Sequence, residues 1–281
     1  MGSKVLILSG RGELPHLFKS LAREKGFETF TVGVKGITDK RCDFEIPFLG
    51  FVELENLLRE LNNPYLVMLG KFEPSLTFAI TQSLINRLKV LFGIGNFKRN
   101  FEIFKTLKEQ TPSLLPEDAV KTFIRYMENK GFKFLPSEEI RRILRSEFAT
   151  EGNLNGVPFK LEDHHWEFFK KAKVLADNDI AQTVVVKDKH IVAVEGIEGT
   201  NRTIERAYKL VGPHFTVIKV GRTYQDYRID IPAVGLETLK LLKRFKVKAL
   251  LLEADRVLIV NKRRFLEEAK KNRIAVIGLK L

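Results

Sequence analysis

Short apolar runs alternate with amphipathic stretches along the first seventy residues of the chain. Residues 5–8 form an uninterrupted aliphatic run, whereas the apolar positions within residues 16–24 recur at helical spacing. Extended runs at residues 27–34 and 65–69, with a helical stretch at residues 52–61, continue this order. Strands that alternate with helices predict a parallel sheet in an α/β domain.

The alternation resumes in the second half of the chain, after a mostly helical pattern between residues 74 and 148. We predict a hairpin from residues 183–187 and 191–195, followed by a helix that begins at Thr200. The further predicted elements are helices at residues 166–175, 236–244 and 263–272 and strands at residues 215–220, 249–252, 257–260 and 275–277. Residues 149–158 are rich in turn formers and are the predicted linker, so we expect one domain over residues 1–150 and a second over residues 151–281.

The composition narrows the class of protein. The chain has 281 residues, a net charge of +13 and 44% hydrophobic residues, which is too apolar and too mixed in sign for a disordered chain. The single cysteine, Cys42, excludes an internal disulfide and a cysteine-ligated zinc, so we expect a reducing, cytoplasmic setting.

The run at residues 5–8 is too short for a signal peptide or a membrane span. The positive surplus is compatible with nucleic acid, a phospholipid surface or a phosphorylated ligand.

A glycine turn, GRGELP at residues 10–15, lies between the first predicted strand and helix. Small residues at such a turn let backbone N–H groups approach an anion at the start of the helix. Pro15 stands where the third glycine of a dinucleotide fingerprint would be, and no Lys-Ser/Thr pair follows, which excludes a P-loop. A strained turn without a ligand is the alternative interpretation.

A second turn, GIEGTN at residues 196–201, also lies between a predicted strand and a helix. We expect Thr200 or Asn201 to cap that helix, and a capped turn without a ligand is the alternative. Carboxylates are dense around this turn, and such hard ligands suit magnesium or manganese. They are Asp177, Asp179, Glu195, Glu198, Asp226 and Asp230. For Asp230 the alternative is a salt bridge to Arg228 or Arg222.

Basic residues and phenylalanines are unevenly placed. Lysines and arginines cluster within residues 240–248 and 262–273, where a solvated helix face and a membrane-surface role are both open. Phe97, Phe101 and Phe104 fall at i, i+4 and i+7, which indicates either a core stripe or a groove for acyl chains.

Several segments in a fixed order resemble the UDP-2,3-diacylglucosamine pyrophosphatases of lipid A synthesis, in their two-domain family rather than the calcineurin-like one. The matching segments are residues 179–187, residues 193–201, the stretch from Gln225 to Pro232 with Gly235, the opening Gly10, Gly12, Leu14 and Pro15, and the strand end Leu69-Gly70-Lys71. The resemblance implies an α/β fold, with an N-terminal Rossmann-like parallel-sheet domain, a C-terminal α/β domain and a ligand cleft between them.

The resemblance also implies an activity, which is the hydrolysis of the pyrophosphate bond of UDP-2,3-diacylglucosamine to UMP and 2,3-diacylglucosamine 1-phosphate with Mg²⁺ or Mn²⁺. It makes Asp230 the leading metal ligand or water-orienting base, with Asp226 as the second ligand. We expect Lys219 to offset charge in phosphoryl transfer. The expected substrate-binding residues are Gly10, Gly12, Leu14, Pro15, Gly70, Lys71, Gln182, Thr183, Glu198, Gly199, Thr200 and Asn201.

The chain departs from the family pattern at two places. Ala181 stands where the family has glycine before the hairpin strand, and residues 93–113 are extra length that includes the phenylalanine stripe.

As partners we expect the lipid-linked substrate and the inner-membrane surface, with no nucleic acid, and a homodimer is left open. A non-enzymatic sugar-nucleotide or lipid binding protein of the same fold is the alternative function. A nucleotide-dependent oxidoreductase is disfavoured because no acidic residue for a ribose ends the second strand.

Overall fold

The computed structural model describes residues 2–72, 96–113 and 116–281, and the chain divides into two compact units. The first unit comprises Met1–Ile143 and Tyr227–Ile229, and the second comprises Leu144–Asp226 and Asp230–Leu281. The helical pattern predicted from residue 74 lies outside the described residues as far as residue 95. None of the helices in the described ranges combines the length and the apolarity that crossing a bilayer requires.

The first unit contains a four-stranded parallel sheet. Its strands are β1 (Lys4–Ser9), β2 (Glu28–Val34), β3 (Phe44–Ile46) and β4 (Tyr65–Leu69). They lie in the order β3-β2-β1-β4, which is that of the first four strands of a doubly wound sheet. The predicted Rossmann-like sheet is therefore confirmed.

Helices flank this sheet and bury its apolar side chains. They are α1 (Leu14–Glu24), α2 (Phe51–Glu60), α3 (Phe97–Gln110), α4 (Pro116–Asn129) and α5 (Ser137–Ile143). Leu6, Leu58, Leu66 and Met127 are completely buried in one cluster between the sheet, α2 and α4. The strands are apolar on both faces because helices cover a parallel sheet on both sides.

Helix α3 is fixed to the start of α2 by a buried asparagine. Asn100 is 2% exposed, donates to Glu53 Oε2 at 2.7 Å and accepts from the Val52 N–H at 2.9 Å. This side chain satisfies a backbone donor at the start of α2 that has no partner within the helix. Phe97 and Phe101 stack with ring centroids 6.2 Å apart and are only half-buried, so the described structure does not place them in the core.

Asp43 links β2 to α1 within the first unit. Its Oδ2 accepts hydrogen bonds from Lys19 Nζ at 2.5 Å, from the Thr31 N–H at 2.7 Å and from the Thr31 hydroxyl at 2.8 Å. Burial raises the pKa of this carboxyl, but the hydrogen bonds from Lys19 and Thr31 outweigh it and lower the pKa of Asp43 from 3.8 to about 2.

The free energy of unfolding is expected to depend on pH through Asp43. Because the folded-state pKa is depressed, the stabilisation is complete above about pH 4 and is lost as the pH falls toward 2. The shift corresponds to roughly 2 kcal/mol, which solvent screening of a partly exposed carboxyl reduces to about 1 kcal/mol. Urea unfolding should show D43N less stable than the wild type at pH 7 and nearly equal to it at pH 2. Glu60→Gln, at an exposed carboxyl of α2, should lower stability at neither pH.

The second unit contains a six-stranded mixed sheet. Its strands are β5 (Gly152–Asn153), β6 (Thr183–Lys187), β7 (His190–Val194), β8 (Thr216–Lys219), β10 (Ala249–Glu253) and β12 (Ala275–Leu279), and a separate parallel pair is formed by β9 (Ala233–Val234) and β11 (Leu258–Ile259). The sheet order is β5-β12-β10-β8-β6-β7, in which β12, β10 and β8 are parallel. Strand β6 runs antiparallel to β8 and forms the predicted hairpin with β7.

Four helices cover the two faces of this sheet. They are α6 (Asp163–Asp177), α7 (Gly199–Val211), α8 (Leu236–Arg244) and α9 (Lys262–Lys271). Alternate residues of a strand point to opposite faces, so Leu250 packs against α7, α8 and α9 whereas Leu251 packs against α6. Both leucines are fully buried, which explains why the strand reads as a continuous apolar run.

The predicted linker is wrong, because residues 149–158 are built into the second unit. Ala149 is fully buried in its core, and β5 pairs antiparallel with β12. The Asn155 side chain donates to the Ile274 carbonyl at 2.8 Å and accepts from the Val276 N–H at 3.2 Å. The turn-forming residues of this stretch therefore bend the chain around the edge of the sheet.

Candidate functional site

In the second unit, polar side chains gather at the carboxyl edge of the parallel strands β8 and β10. Because β6 runs the other way, its first residue, Thr183, is paired with Lys219, the last residue of β8. Gln182 and Glu195 are held at the same edge, since the Val220 N–H donates to the Gln182 carbonyl and the Glu195 N–H donates to the Thr183 carbonyl, both at 2.9 Å. This is the edge at which open α/β sheets bind ligands.

Lys219 lies at the centre of a buried polar network. It is 5% exposed, and its Nζ donates to Thr200 Oγ1 at 2.8 Å and to Thr183 Oγ1 at 3.2 Å. Its charge faces Glu195 Oε2 at 3.8 Å. A buried ammonium requires such partners, because an unpaired charge away from water costs several kcal/mol. Direct contact of Lys219 with a phosphate stays a prediction, whereas its contact with Thr200 is part of the structure.

Glu195 fixes the direction of the Thr200 hydroxyl. Thr200 Oγ1 donates to Glu195 Oε1 at 2.9 Å while it accepts from Lys219. The other carboxylate oxygen, Oε2, is buried and accepts no hydrogen bond from any residue that the structure describes. In the sequence Glu195 is one carboxylate among six, whereas in the structure it is the partner of both Lys219 and Thr200.

The turn at residues 196–201 joins β7 to α7, as predicted, but its capping residue is different. The N-cap is Glu198, and Gly199, with φ +77°, is the first residue of the helix. Neither Thr200 nor Asn201 caps the helix, because Thr200 bonds Glu195 and Asn201 Oδ1 accepts from the Thr238 hydroxyl at 2.9 Å. The sequence rule favours these residues as caps, and here tertiary partners take their side chains.

Glu198 is held in its charged form within this turn. Arg206 Nη2 donates to its carboxylate at 2.6 Å, and the Thr203 hydroxyl donates at 3.3 Å. The hydrogen bond from Arg206 lowers the pKa of Glu198 and outweighs the opposite effect of burial.

Asp230 is held at both its side chain and its backbone. Gln182 Nε2 donates to Asp230 Oδ2, and Gln225 Nε2 donates to the Asp230 carbonyl, each at 2.8 Å. The Asp230 N–H donates to the Asp226 carbonyl at 3.2 Å, so the two aspartates flank one turn of the chain. Gln182, which we expected to contact substrate, thus orients the predicted catalytic carboxylate.

The six carboxylates that suggested a metal do not converge. Asp177 bonds Thr223, Asp179 pairs with Arg222, Glu195 lies at Lys219 and Glu198 pairs with Arg206. Over the described ranges, no three histidine, cysteine or acidic side chains are placed to hold a metal together. Mg²⁺ commonly binds one or two carboxylates and completes its shell with waters and substrate phosphates. Asp226 and Asp230 offer the oxygen donors of that kind of site.

In the first unit, the predicted glycine segments meet at the carboxyl edge of β1 and β4. Arg11 and Lys71 form an antiparallel bridge through their backbones at 2.9 and 3.0 Å. A Cβ on Gly10 would lie 2.7 Å from the Lys71 carbonyl oxygen, and one on Gly70 would lie 2.8 Å from that of Arg11. Gly70 also has φ +95°, so a side chain at either position would collide with backbone.

The first three backbone donors of this glycine turn, those of Gly10, Arg11 and Gly12, have partners within the first unit. The Gly10 N–H donates to the Leu69 carbonyl at 2.8 Å, and the Gly12 N–H donates to Asp39 Oδ1 at 3.0 Å. An anion that binds the Gly12 N–H would have to displace Asp39. Helix α1 begins at Leu14 with Pro15 in its first turn, where the missing N–H of proline is not needed.

The comparisons with known proteins agree with the resemblance found in the sequence. A model of the LpxI N-terminal domain matches residues 4–144, and a model of the LpxI C-terminal domain matches residues 160–277. The chain is also similar to the UDP-2,3-diacylglucosamine pyrophosphatase LpxI of Caulobacter vibrioides, with 23% identity over 163 residues. That match covers 54% of this chain and 57% of the relative.

Proposed function

Because the chain belongs to the LpxI family, whose domain models match residues 4–144 and 160–277, we propose that it hydrolyses UDP-2,3-diacylglucosamine. Water adds across the pyrophosphate bond, and the products are UMP and 2,3-diacylglucosamine 1-phosphate, in lipid A synthesis. The name of the Caulobacter relative supports the substrate. The observation that carries the proposal is the Asp230 carboxylate, which is oriented by Gln182 at the carboxyl edge of the parallel strands β8 and β10.

In this proposal Asp230 orients the attacking water and accepts its proton. A base must be held within hydrogen-bond reach of the proton that it removes. The bonds from Gln182 and Gln225 hold Asp230 at two points, which keeps its carboxylate from rotating freely. The expected substrate contacts of Gly10, Gly12, Gly70 and Lys71 stay predictions.

The proposed cofactor is a divalent cation, Mg²⁺ or Mn²⁺, held by Asp230 and Asp226. When bound, such an ion supplies positive charge to phosphoryl oxygens and lowers the pKa of coordinated water. The carboxylate donors fit a hard cation better than a soft one. Two protein ligands suit an ion that shares its remaining positions with the phosphates of the substrate.

The backbone N–H of Thr200 is the proposed donor to a phosphate oxygen at the start of α7, because the hydroxyl proton is already donated to Glu195. Its side chain is half-buried, and it stands in the first turn, where backbone N–H groups have no partner within the helix. Lys219 acts here as a positioning residue, because it bonds the Thr200 hydroxyl from the buried side. Lys219 and Glu195 together therefore hold Thr200 in place at the edge of the site.

We place the reaction at the cytoplasmic face of an anionic membrane, to which the protein attaches peripherally. The net charge of +13 supports this, as do basic side chains on α8 and α9. Each lysine or arginine near an anionic surface contributes roughly 1 kcal/mol of attraction.

The test is incubation of the purified protein with UDP-2,3-diacylglucosamine and Mg²⁺ or Mn²⁺, followed by measurement of UMP. We expect UMP release that stops on addition of chelator and resumes when the metal is restored. UMP release that is unaffected by chelator would reject the cation but keep the hydrolase. Tight binding of the lipid without turnover would instead favour the non-enzymatic binding protein.

A further inference from the structure

A short irregular segment, residues 221–223, is held almost entirely by charged side chains. It follows β8 and belongs to neither a helix nor a strand. Four charged residues that have no role in the proposed function bind the backbone of residues 221–223, and we call them the charged cluster. They are Lys173 and Asp177 of α6, Glu253 at the end of β10, and Arg256 in the following turn.

Glu253 is the buried centre of the charged cluster. Its side chain is 6% exposed, and Oε2 accepts from the Gly221 N–H at 2.9 Å. Two cations balance its charge, with Lys173 Nζ at 3.0 Å and Arg256 Nε at 3.1 Å from Oε1. Lys173 also donates to the Gly221 carbonyl at 2.7 Å, so both polar groups of this peptide are bound.

The next two residues are bound in the same manner. Arg256 Nη1 donates to the Arg222 carbonyl at 2.9 Å and to the Thr223 carbonyl at 3.0 Å. Asp177 accepts from the Thr223 N–H at 2.6 Å and from its hydroxyl at 3.0 Å. A loop whose backbone makes no helix or sheet hydrogen bonds is ordinarily mobile. In this segment, charge-assisted hydrogen bonds from side chains take the place of those backbone bonds.

This segment leads directly to the proposed catalytic aspartates. The Arg222 N–H donates to Gln225 Oε1 at 3.3 Å, and Gln225 in turn holds the Asp230 carbonyl. A displaced segment would therefore move Gln225, and with it Asp230. Burying ionic groups costs free energy that well-packed apolar groups would not, so stability alone does not account for a carboxylate at position 253.

We propose that Glu253, through the charged cluster, is a positioning residue that fixes residues 221–226 and, through Gln225, Asp230, and so places Asp226 and Asp230 for hydrolysis. This rests on the proposed function. Glu253→Gln keeps the shape of the side chain but removes its charge, and its amide then faces the donors of Gly221 or Lys173. An error of about 1 Å in the position of a catalytic group costs on the order of 10²-fold in rate.

The experiment compares E253Q with E55Q in the full-length protein. Glu55 is a matched control, because it is 1% exposed and lies against two cations, Arg59 at 3.4 Å and Lys130 at 3.5 Å, in the first unit. We expect kcat to fall about 10- to 100-fold in E253Q with KM changed less than about threefold. E55Q should lower the melting temperature without a comparable fall in kcat. Asp177→Ala, at a partly exposed carboxylate, should fold normally and lose about tenfold in kcat or less.

Hydrogen exchange on the same proteins provides a readout that does not depend on catalysis. We expect the amides of residues 221–226 to exchange at least about tenfold faster in E253Q, and those of β1, in the first unit, to remain unchanged in E253Q. Unchanged exchange at residues 221–226 overturns the proposal, as does an equal loss of kcat in E253Q and E55Q. A wild-type protein that does not hydrolyse the substrate rejects the proposed function instead, and exchange then tests the ordering of the segment by itself.

Discussion

Replacement of Asp230 by asparagine is expected to lower kcat for UMP release by about 10³-fold. The amide keeps the size of the side chain but cannot accept a proton from water and is a weaker ligand for a hard cation. Gln182 can still bond the remaining oxygen, so the fold around the site should persist. The affinity for substrate should fall as well, because the proposed cation that Asp230 helps to hold is shared with the substrate phosphates.

The measurement is the initial rate of UMP release at saturating substrate, with substrate affinity and melting temperature determined on the same protein. Asp188→Asn is the control, because Asp188 lies in the turn of the β6–β7 hairpin with φ +52°, a conformation that asparagine adopts readily. A folded D230N protein that keeps more than about a tenth of the wild-type rate would contradict the assignment of Asp230.

The second large effect is expected from Lys219→Met. Methionine leaves the Glu195 carboxylate buried without its cation, which should lower the free energy of unfolding by about 3 kcal/mol. Thr200 also loses the donor that holds its side chain in place, so the first turn of α7 is displaced and kcat should fall about 10²-fold. Urea unfolding and steady-state kinetics of the purified variant measure the two effects separately.

A double variant separates stability from activity at this site. When Glu195→Gln is added to Lys219→Met, the unpaired charge is gone, and most of the lost free energy of unfolding should return. Activity should not return, because Thr200 still lacks its donor. If the single and double variants are equally unstable, the burial of Glu195 does not depend on Lys219. If the double variant recovers activity, Thr200 needs no positioning by Lys219.

The secondary structure of both units could be predicted because local pattern and fold agree. The limits of β4 and α8 follow from apolar runs and helical spacing, and both match the structure residue for residue. The stretch at residues 149–158 could not be predicted in this way, since its turn formers are equally typical of a linker. Its true role depends on Asn155, whose partners lie about 120 residues away in the sequence.

The candidate site could be predicted only in part. The signal for Asp230 lies in a segment that resembles a family, whereas Lys219 is predicted from the charge that phosphoryl transfer requires. The structure holds each in a polar network. The roles of Glu195 and Glu253 could not be predicted, because each depends on a partner from another strand or helix. The one local signal for Glu253 was a charge at the end of the apolar run of β10, and this position is also typical of a strand that simply reaches solvent.

The two-residue strand β5 covers one edge of the sheet in the second unit and so protects it from pairing with another chain. Strand β12 is buried along its whole length and would otherwise end the sheet with an apolar edge open to pairing with another chain. β5 and the Asn155 side chain occupy polar groups along that edge. Because β12 is the last strand of this sheet in chain order, a chain cut before residue 275 leaves β10 as an unpaired edge, and such truncated chains are expected to associate.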